Sequence, residues 1–305
     1  MEMTDICEGA DPFIYKQHDT WHLLIQSDFR CEPHDHDGIK GYSVRSAKRI
    51  SDLWSSEPVA LTVSSQSENL RQVWAGEIHH TNHLYVSAST GDNATHRMHV
   101  YKTLGTAQGP WEHLGQLKTV ASEDGWMIDL TFADITVNRE TKTYAFWSGW
   151  DTTPLSTSDT TEVIPQHIYV AECISETEIG QRYLIATPKE EWSCSVASIL
   201  EGPQALYIEN DFKGLLLACN ASWTTSYNTS ILKYLGGNPL HESSWKMVEN
   251  PLFTLQKGIG HGMIAEEEKE LYFVGHYKTQ EKFGWHDRKV FYTKLTTEEI
   301  ENLLQ

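Results

Sequence analysis

Basic residues are scarce in this chain: 24 Lys and Arg stand against 42 Asp and Glu, a formal net charge of −18. A polyphosphate would be repelled by that excess, so nucleic acid is not expected as a partner. No apolar run approaches the roughly 18 residues of a membrane span, so no membrane partner is expected either. Cysteine is thin as well. Cys7, Cys31, Cys173, Cys194 and Cys219 are odd in number, scattered and without a C-x-x-C pair, which argues against a disulfide framework and a cysteine metal site. There is no Gly-x-Ser-x-Gly elbow for serine hydrolase chemistry. No phosphate-binding glycine loop is found, and Gly236-Gly237-Asn238-Pro239 reads as a turn. The opening Met1–Ala10 is polar and acidic and lacks the apolar core of a secretion signal. The expected location is cytoplasmic as written, or secreted if a signal has been removed. Long helical periodicity is missing too, and only the tail Thr296–Leu304 reads as a helix, with Thr296 and Glu299 spaced as a capping box.

What the 305 residues do contain is a strand unit that returns five times. Its second strands read WHLLIQS (Trp21–Ser27), LYVSAS (Leu84–Ser89), YAFWS (Tyr144–Ser148), LLLAC (Leu215–Cys219) and LYFVGH (Leu271–His276). Polar segments suited to hairpin turns precede each, and third strands such as YSVRSA, RMHVYK and KVFYTK follow. Antiparallel sheets repeated radially predict an all-β fold, a five-bladed β-propeller with its site at the mouth of the central channel. With no linker rich in Pro, Gly or Ser, residues 1–305 are expected to form one domain, with blades near 10–65, 70–120, 125–190, 195–250 and 255–295. A monomer is expected.

At the front of the five first strands stand Asp11, Glu77, Asp129, Glu201 and His261. The innermost strands of a propeller surround its channel, so residues distant in sequence would converge there. Any one of these acids alone would be an ordinary solvated turn residue; it is their recurrence at equivalent places that suggests a site. Clustered carboxylates around a pocket suit glycosidic bond cleavage, which needs an acid for the leaving oxygen and a carboxylate on the other side of the sugar. Neighbouring negative charge would keep the acid protonated near neutral pH. Eleven Trp and thirteen Tyr supply rings that could stack on sugars or simply pack.

These stretches resemble glycoside hydrolase family 43. Ala10-Asp11-Pro12-Phe13-Ile14 resembles the family's opening motif, Trp74-Ala75-Gly76-Glu77-Ile78-His79 its second-blade motif, and Ile128-Asp129 before Phe132 its third. Glu201-Gly202-Pro203 is similar to its Glu-Gly-Pro, and Gly258-Ile259-Gly260-His261 to its fifth-blade Gly-x-Gly-His. The resemblance implies Asp11 as general base, Asp129 as the residue that orients the acid and tunes its pKa, and Glu201 as general acid. It also implies a substrate or carboxylate contact for Arg288 and a channel position for His261. His261 could there reach a water-coordinated cation such as structural calcium, although one imidazole is a poor start for an ion that prefers six to eight oxygens. No cofactor is otherwise required. Trp74, Glu77, Trp150 and Trp223 are further candidates for substrate contact, with Trp126 nearby.

His96-Arg97-Met98, Phe146–Trp150, Ala186-Thr187-Pro188 with Trp192, and Glu201–Tyr207 look most like the exo-acting α-L-arabinofuranosidases of the family, which implies an arabinose-containing oligo- or polysaccharide as partner. A β-xylosidase, an endo-arabinanase and a binding propeller without catalysis are the alternatives. Three departures from the family pattern carry expectations of their own. Gly76, where Pro is usual, would loosen a turn. Leu130 after Asp129 would alter the local backbone. Gly262 after His261, where Asn is frequent, would remove a channel hydrogen bond. The chain also stops soon after Arg288, short of the usual final strand, which leaves ring closure open. His34-Asp35-His36-Asp37-Gly38 resembles a metal cluster, but its spacing is not that of a calcium loop, and a solvated loop is the reading adopted.

Overall fold

The computed structural model describes residues 3–26, 41–64, 70–80, 82–120, 125–157, 163–253, 257–281, 284 and 287–304. The segment His34–Gly38 and Cys31 lie outside the described residues.

The strands form five blades, antiparallel but for one short parallel pair, Lys118–Thr119 with Glu178–Ile179, at the edge of the third. Blade one runs from an inner strand Ala10–Gln17 through Thr20–Gln26 and Tyr42–Ala47 to Val59–Ala60. Blade two has Arg71–His79, His83–Ser89, Arg97–Lys102 and Glu112–Gln116. Blade three has Met127–Val137, Glu140–Gly149 and His167–Ser175, with three short strands at its edge. Blade four has Leu200–Ile208, Asp211–Cys219, Asn228–Tyr234 and Trp245–Met247. Blade five has Gly260–Glu267, Glu270–Lys278 and Arg288–Leu295. Its outer strand comes from the other end of the chain: Thr4–Glu8 pairs with Arg288–Leu295, Thr4 opposite Tyr292. The first and last parts of the sequence are therefore joined in one sheet, which answers the open question of ring closure. The inner strands touch their neighbours in order, and the fifth touches the first.

The apolar core lies between blades. Phe13, Tyr42, Val73 and Trp111 pack where blades one and two meet, and Phe146, Leu200 and Leu217 where three and four meet. Ile14, Leu23, Tyr272 and Val290 fill the seam between five and one. Second strands are covered on both faces, which is why LLLAC is an unbroken apolar run rather than an alternating one. The C-terminal helix Thr297–Leu304 begins with the expected capping box: the Glu299 carboxylate accepts the Thr296 N–H at 2.7 Å, and Thr296 Oγ1 accepts the Glu299 N–H at 3.1 Å.

Each inner strand carries a bulge near its start, where two residues oppose one on the second strand. The pairs are Asp11-Pro12, Ala75-Gly76, Asp129-Leu130, Gly202-Pro203 and His261-Gly262. In every pair the first residue is left-handed, with φ of 48°, 40°, 56°, 54° and 45° in chain order. Leu130 therefore keeps the backbone that the other four blades have. Gly76 does not loosen its turn, because its N–H donates to Tyr42 Oη at 3.0 Å, a bond that proline could not make. Gly262 is required by space. A Cβ there would stand 2.5 Å from Phe273 Cζ and 2.5 Å from the Val274 carbonyl oxygen, so no asparagine side chain fits. Gly262→Ala is expected to destabilise the protein by about 1–3 kcal/mol through overpacking. Urea unfolding at the wild-type midpoint would show that space to be available after all.

Candidate active site

The bulges decide which side chains reach the channel mouth. A left-handed residue is costly for most side chains, and Asp and His are among the few non-glycine residues found there often. At this bulge position stand Asp11, Asp129 and His261 from blades one, three and five. The five front residues expected to be equivalent are not all so. Glu201 stands one residue before its bulge, in register with Trp74, and Glu77 stands two after Ala75, in register with Thr131 and Gln204.

That shift puts Glu77 below the mouth, not on substrate. It is 1% exposed, its Oε2 lies 2.7 Å from His79 Nε2, and its Oε1 accepts from Gln204 Nε2 across the channel. Burial raises its pKa to about 8 despite bonds from Thr131 and Gln204. Glu77 thus ties blade two to blade four beneath the site.

Asp11, 14% exposed at its side chain, faces a cluster of nitrogen groups. Its Oδ1 lies 3.3 Å from His276 Nδ1, 3.5 Å from His261 Nδ1 and 3.8 Å from Arg288 Nη1. Burial pushes the carboxyl up, but His261, His276 and Arg288 together outweigh it and hold its pKa below the usual carboxylate range. Arg288, from the start of the third strand of blade five, is itself anchored by donating to the Ser222 carbonyl at 2.6 Å.

Asp129 is buried, accepts the Gly202 N–H on Oδ2 at 2.9 Å, and has His261 Nδ1 3.9 Å away. Glu201 accepts from the Tyr227 hydroxyl at 2.8 Å. Burial first, then the charge of Asp11, lifts Glu201 up to about 7, against the Tyr227 bond and Arg288. Asp129 is raised too, by burial and by Glu201 and Asp11, against His261 and the Gly202 amide. The two acids compete for a proton. The Gly202 N–H and nearby His261 favour the ionised form of Asp129, and the Tyr227 hydroxyl and Arg288 that of Glu201. Gly202 is needed twice over: its φ is 54°, and a Cβ there would stand 3.1 Å from the His261 ring.

Of the tryptophans expected near substrate, Trp74 is half-buried and stacks on His96 with centroids 4.2 Å apart. Trp223 is half-buried in the loop that also carries Tyr227. Trp150 is 3% exposed and gives its face to Trp126 at 4.1 Å and an interplanar angle of 2°, so both serve packing and not a sugar. His276, Tyr227 and Tyr42 were not singled out from the sequence. LYFVGH shows a histidine ending a second strand, but nothing local marks it as a partner of Asp11. Among the described residues no three His, Cys, Asp or Glu side chains gather as a metal-ligand set, and His261 turns Nδ1 toward Asp11 and Asp129. The donors present do not fit a calcium ion, and no step below uses one.

Solved structures with this fold include α-L-arabinofuranosidase from Lactobacillus brevis, 20% identical, with 95% of this chain and 91% of that one covered at a TM-score of 0.75. An exo-1,5-alpha-L-arabinanase from a bovine ruminal metagenomic library is 13% identical over 96% of this chain and 95% of its own, with a TM-score of 0.60. A xylan beta-1,4-xylosidase from Bacillus halodurans C-125 is 14% identical over 96% of this chain and 54% of its own, with a TM-score of 0.61. No curated protein sequence matches the chain. Identities this low speak for the fold alone, whereas the model of the glycosyl hydrolases family 43 matches residues 6–299. Matched over nearly its whole length by that model, and folded as five blades around a mouth of carboxylates, the chain belongs to glycosyl hydrolases family 43.

Proposed function

We propose that this glycoside hydrolase removes L-arabinofuranose from α-1,5-linked arabinan or arabino-oligosaccharides with inversion. Asp11 draws a proton from a water on one face of the sugar. Glu201 protonates the departing glycosidic oxygen, the C–O bond breaks as the water oxygen bonds to the anomeric carbon, and Asp129 orients Glu201 and keeps its pKa up. The observation that carries this reading is the different surroundings of two carboxyls at one mouth: Asp11 lies among His261, His276 and Arg288, which favour its ionised form, while burial and the charge of Asp11 push the Glu201 carboxyl up.

The arabinose preference is supported by the motif stretches around His96-Arg97-Met98 and Phe146–Trp150. Trp74, braced on His96, offers a ring for the sugar face. Inversion requires a carboxyl separation of about 6.5–9.5 Å between base and acid, to admit the water. Proton NMR of the first sugar released is expected to show the inverted anomer, and retention would sink the mechanism. Aryl α-L-arabinofuranoside and aryl β-D-xyloside, assayed side by side, decide the sugar; a faster xyloside would replace the substrate named here and leave the chemistry intact.

A further inference from the structure

The second strands carry a recurring staple. At the position opposite the residue that precedes each bulge stand Gln26, Ser87, Ser148, Ala218 and His276. In the first three blades this side chain donates to a backbone carbonyl of the next blade: Gln26 Nε2 to Val73, Ser87 Oγ to Met127 and Ser148 Oγ to Leu200, each at 2.9 Å. Every acceptor lies directly before the pre-bulge residue of its inner strand. Ala218 has no donor, and Thr229, its partner on the third strand, makes the same bond to the Ile259 carbonyl at 3.2 Å. An amide or hydroxyl side chain from the second or third strand thus holds blade to blade at these four seams.

Blade five breaks the pattern. The carbonyl corresponding to the other acceptors belongs to Gly9, yet His276 Nδ1 accepts the Asp11 backbone N–H at 3.3 Å and lies 3.3 Å from Asp11 Oδ1. Its other nitrogen, Nε2, is buried without a hydrogen-bond partner among the described residues. The imidazole also stacks on Tyr227, centroids 5.7 Å apart and planes at 14°, and Tyr227 holds Glu201. One pair of stacked rings therefore touches both carboxyls of the proposed reaction.

We propose that His276 is a positioning residue that fixes the carboxylate of Asp11 for attack by water. The inference rests on the reading of Asp11 as general base. Asp11 also faces His261, Arg288, Asp129, Glu201 and the phenols of Tyr42 and Tyr227, so removal of His276 withdraws one of several stabilising groups. His276 itself faces Arg288, Asp11 and His261.

The test compares His276→Leu, which keeps bulk, with His276→Asn, whose amide nitrogen can stand near the place of Nδ1. The substrate is whichever aryl α-L-arabinofuranoside or aryl β-D-xyloside the wild type cleaves. His276→Leu is expected to lower kcat by about 10–100-fold, the scale of a misplaced reacting group, with KM within about threefold. The acidic limb of its kcat/KM profile moves up by about one pH unit, because Asp11 loses a group that favours its ionised form. His276→Asn recovers most of the rate. If His276→Leu does not fold by circular dichroism, His276→Gln replaces it and is expected to behave as the leucine variant would. A folded variant with wild-type kcat and limb overturns the inference. So does a rate loss with an unmoved limb and no recovery by asparagine, which would mark mere packing. Asp11→Asn separates the two readings: if it is active, the base assignment fails and takes this inference with it; if it is dead while His276→Leu is normal, only His276 is misread.

Discussion

Glu201→Gln is expected to cut kcat/KM on arabino-oligosaccharides by about 10²–10⁴-fold, the usual worth of a positioned acid. Glutamine keeps the shape and can still accept from the Tyr227 hydroxyl, as Glu201 Oε1 does at 2.8 Å, so the fold should be unchanged. What it lacks is an acidic proton for the sugar alkoxide. The loss should shrink on an aryl glycoside, whose nitrophenolate departs without protonation. The pH profile adds a second readout. Wild-type kcat/KM should fall above about 7, where the Glu201 carboxyl, lifted by burial and by Asp11, gives up its proton. The sign follows from the role: an acid catalyst is active in its protonated form, so raising the pH removes activity. In Glu201→Gln this basic limb should vanish. Equal losses on both leaving groups, with the limb retained, would move the acid elsewhere.

The second large effect is at Asp11. Here asparagine is the informative replacement, because the residue sits at φ 48°, a conformation asparagine accepts and alanine resists. Asp11→Asn cannot take a proton from water, and a loss of about 10²–10⁴-fold is expected on every substrate, good leaving groups included. The contrast with Glu201→Gln is the diagnostic, since water must be activated whatever departs. Added azide, already an anionic nucleophile, should restore turnover and yield a glycosyl azide of inverted configuration, with Glu201 still supplying the proton. Asp11 is held ionised by His261, His276 and Arg288, so the wild-type acidic limb should lie below the ordinary carboxylate range. A variant within tenfold of wild type, or azide without effect, would remove Asp11 from the chemistry.

The two experiments bear on an asymmetry that the fold creates. Blade five supplies three nitrogen groups to Asp11, from the inner strand (His261), the second (His276) and the third (Arg288). Glu201 receives a phenol from the loop after the second strand of blade four. At Asp11 the nitrogen groups outweigh burial, whereas at Glu201 burial and the charge of Asp11 outweigh the phenol and Arg288, although both residues are carboxylic acids at the starts of inner strands.

The sequence by itself determined the strands, their fivefold recurrence and the family motifs. A strand covered on both faces must be apolar throughout, as in LLLAC, and its hairpin turns must be polar, so the repeat shows in composition alone. Asp11, Asp129, Glu201, His261 and Arg288 were named from that pattern and its resemblance. Tertiary structure alone decided their register. A bulge places two residues against one, so a front position counted along the chain can miss the position in space: Glu201 falls one residue before the left-handed site and Glu77 two beyond it, in the channel. It also decided which rings are spent on packing, as Trp150 is on Trp126. Ring closure by Thr4–Glu8 was hidden because a short strand is recognised by its partner, Arg288–Leu295, from the far end of the chain. His276 was hidden for the same reason: its meaning lies in what it touches across the seam between blades five and one, and such contacts leave no local signature.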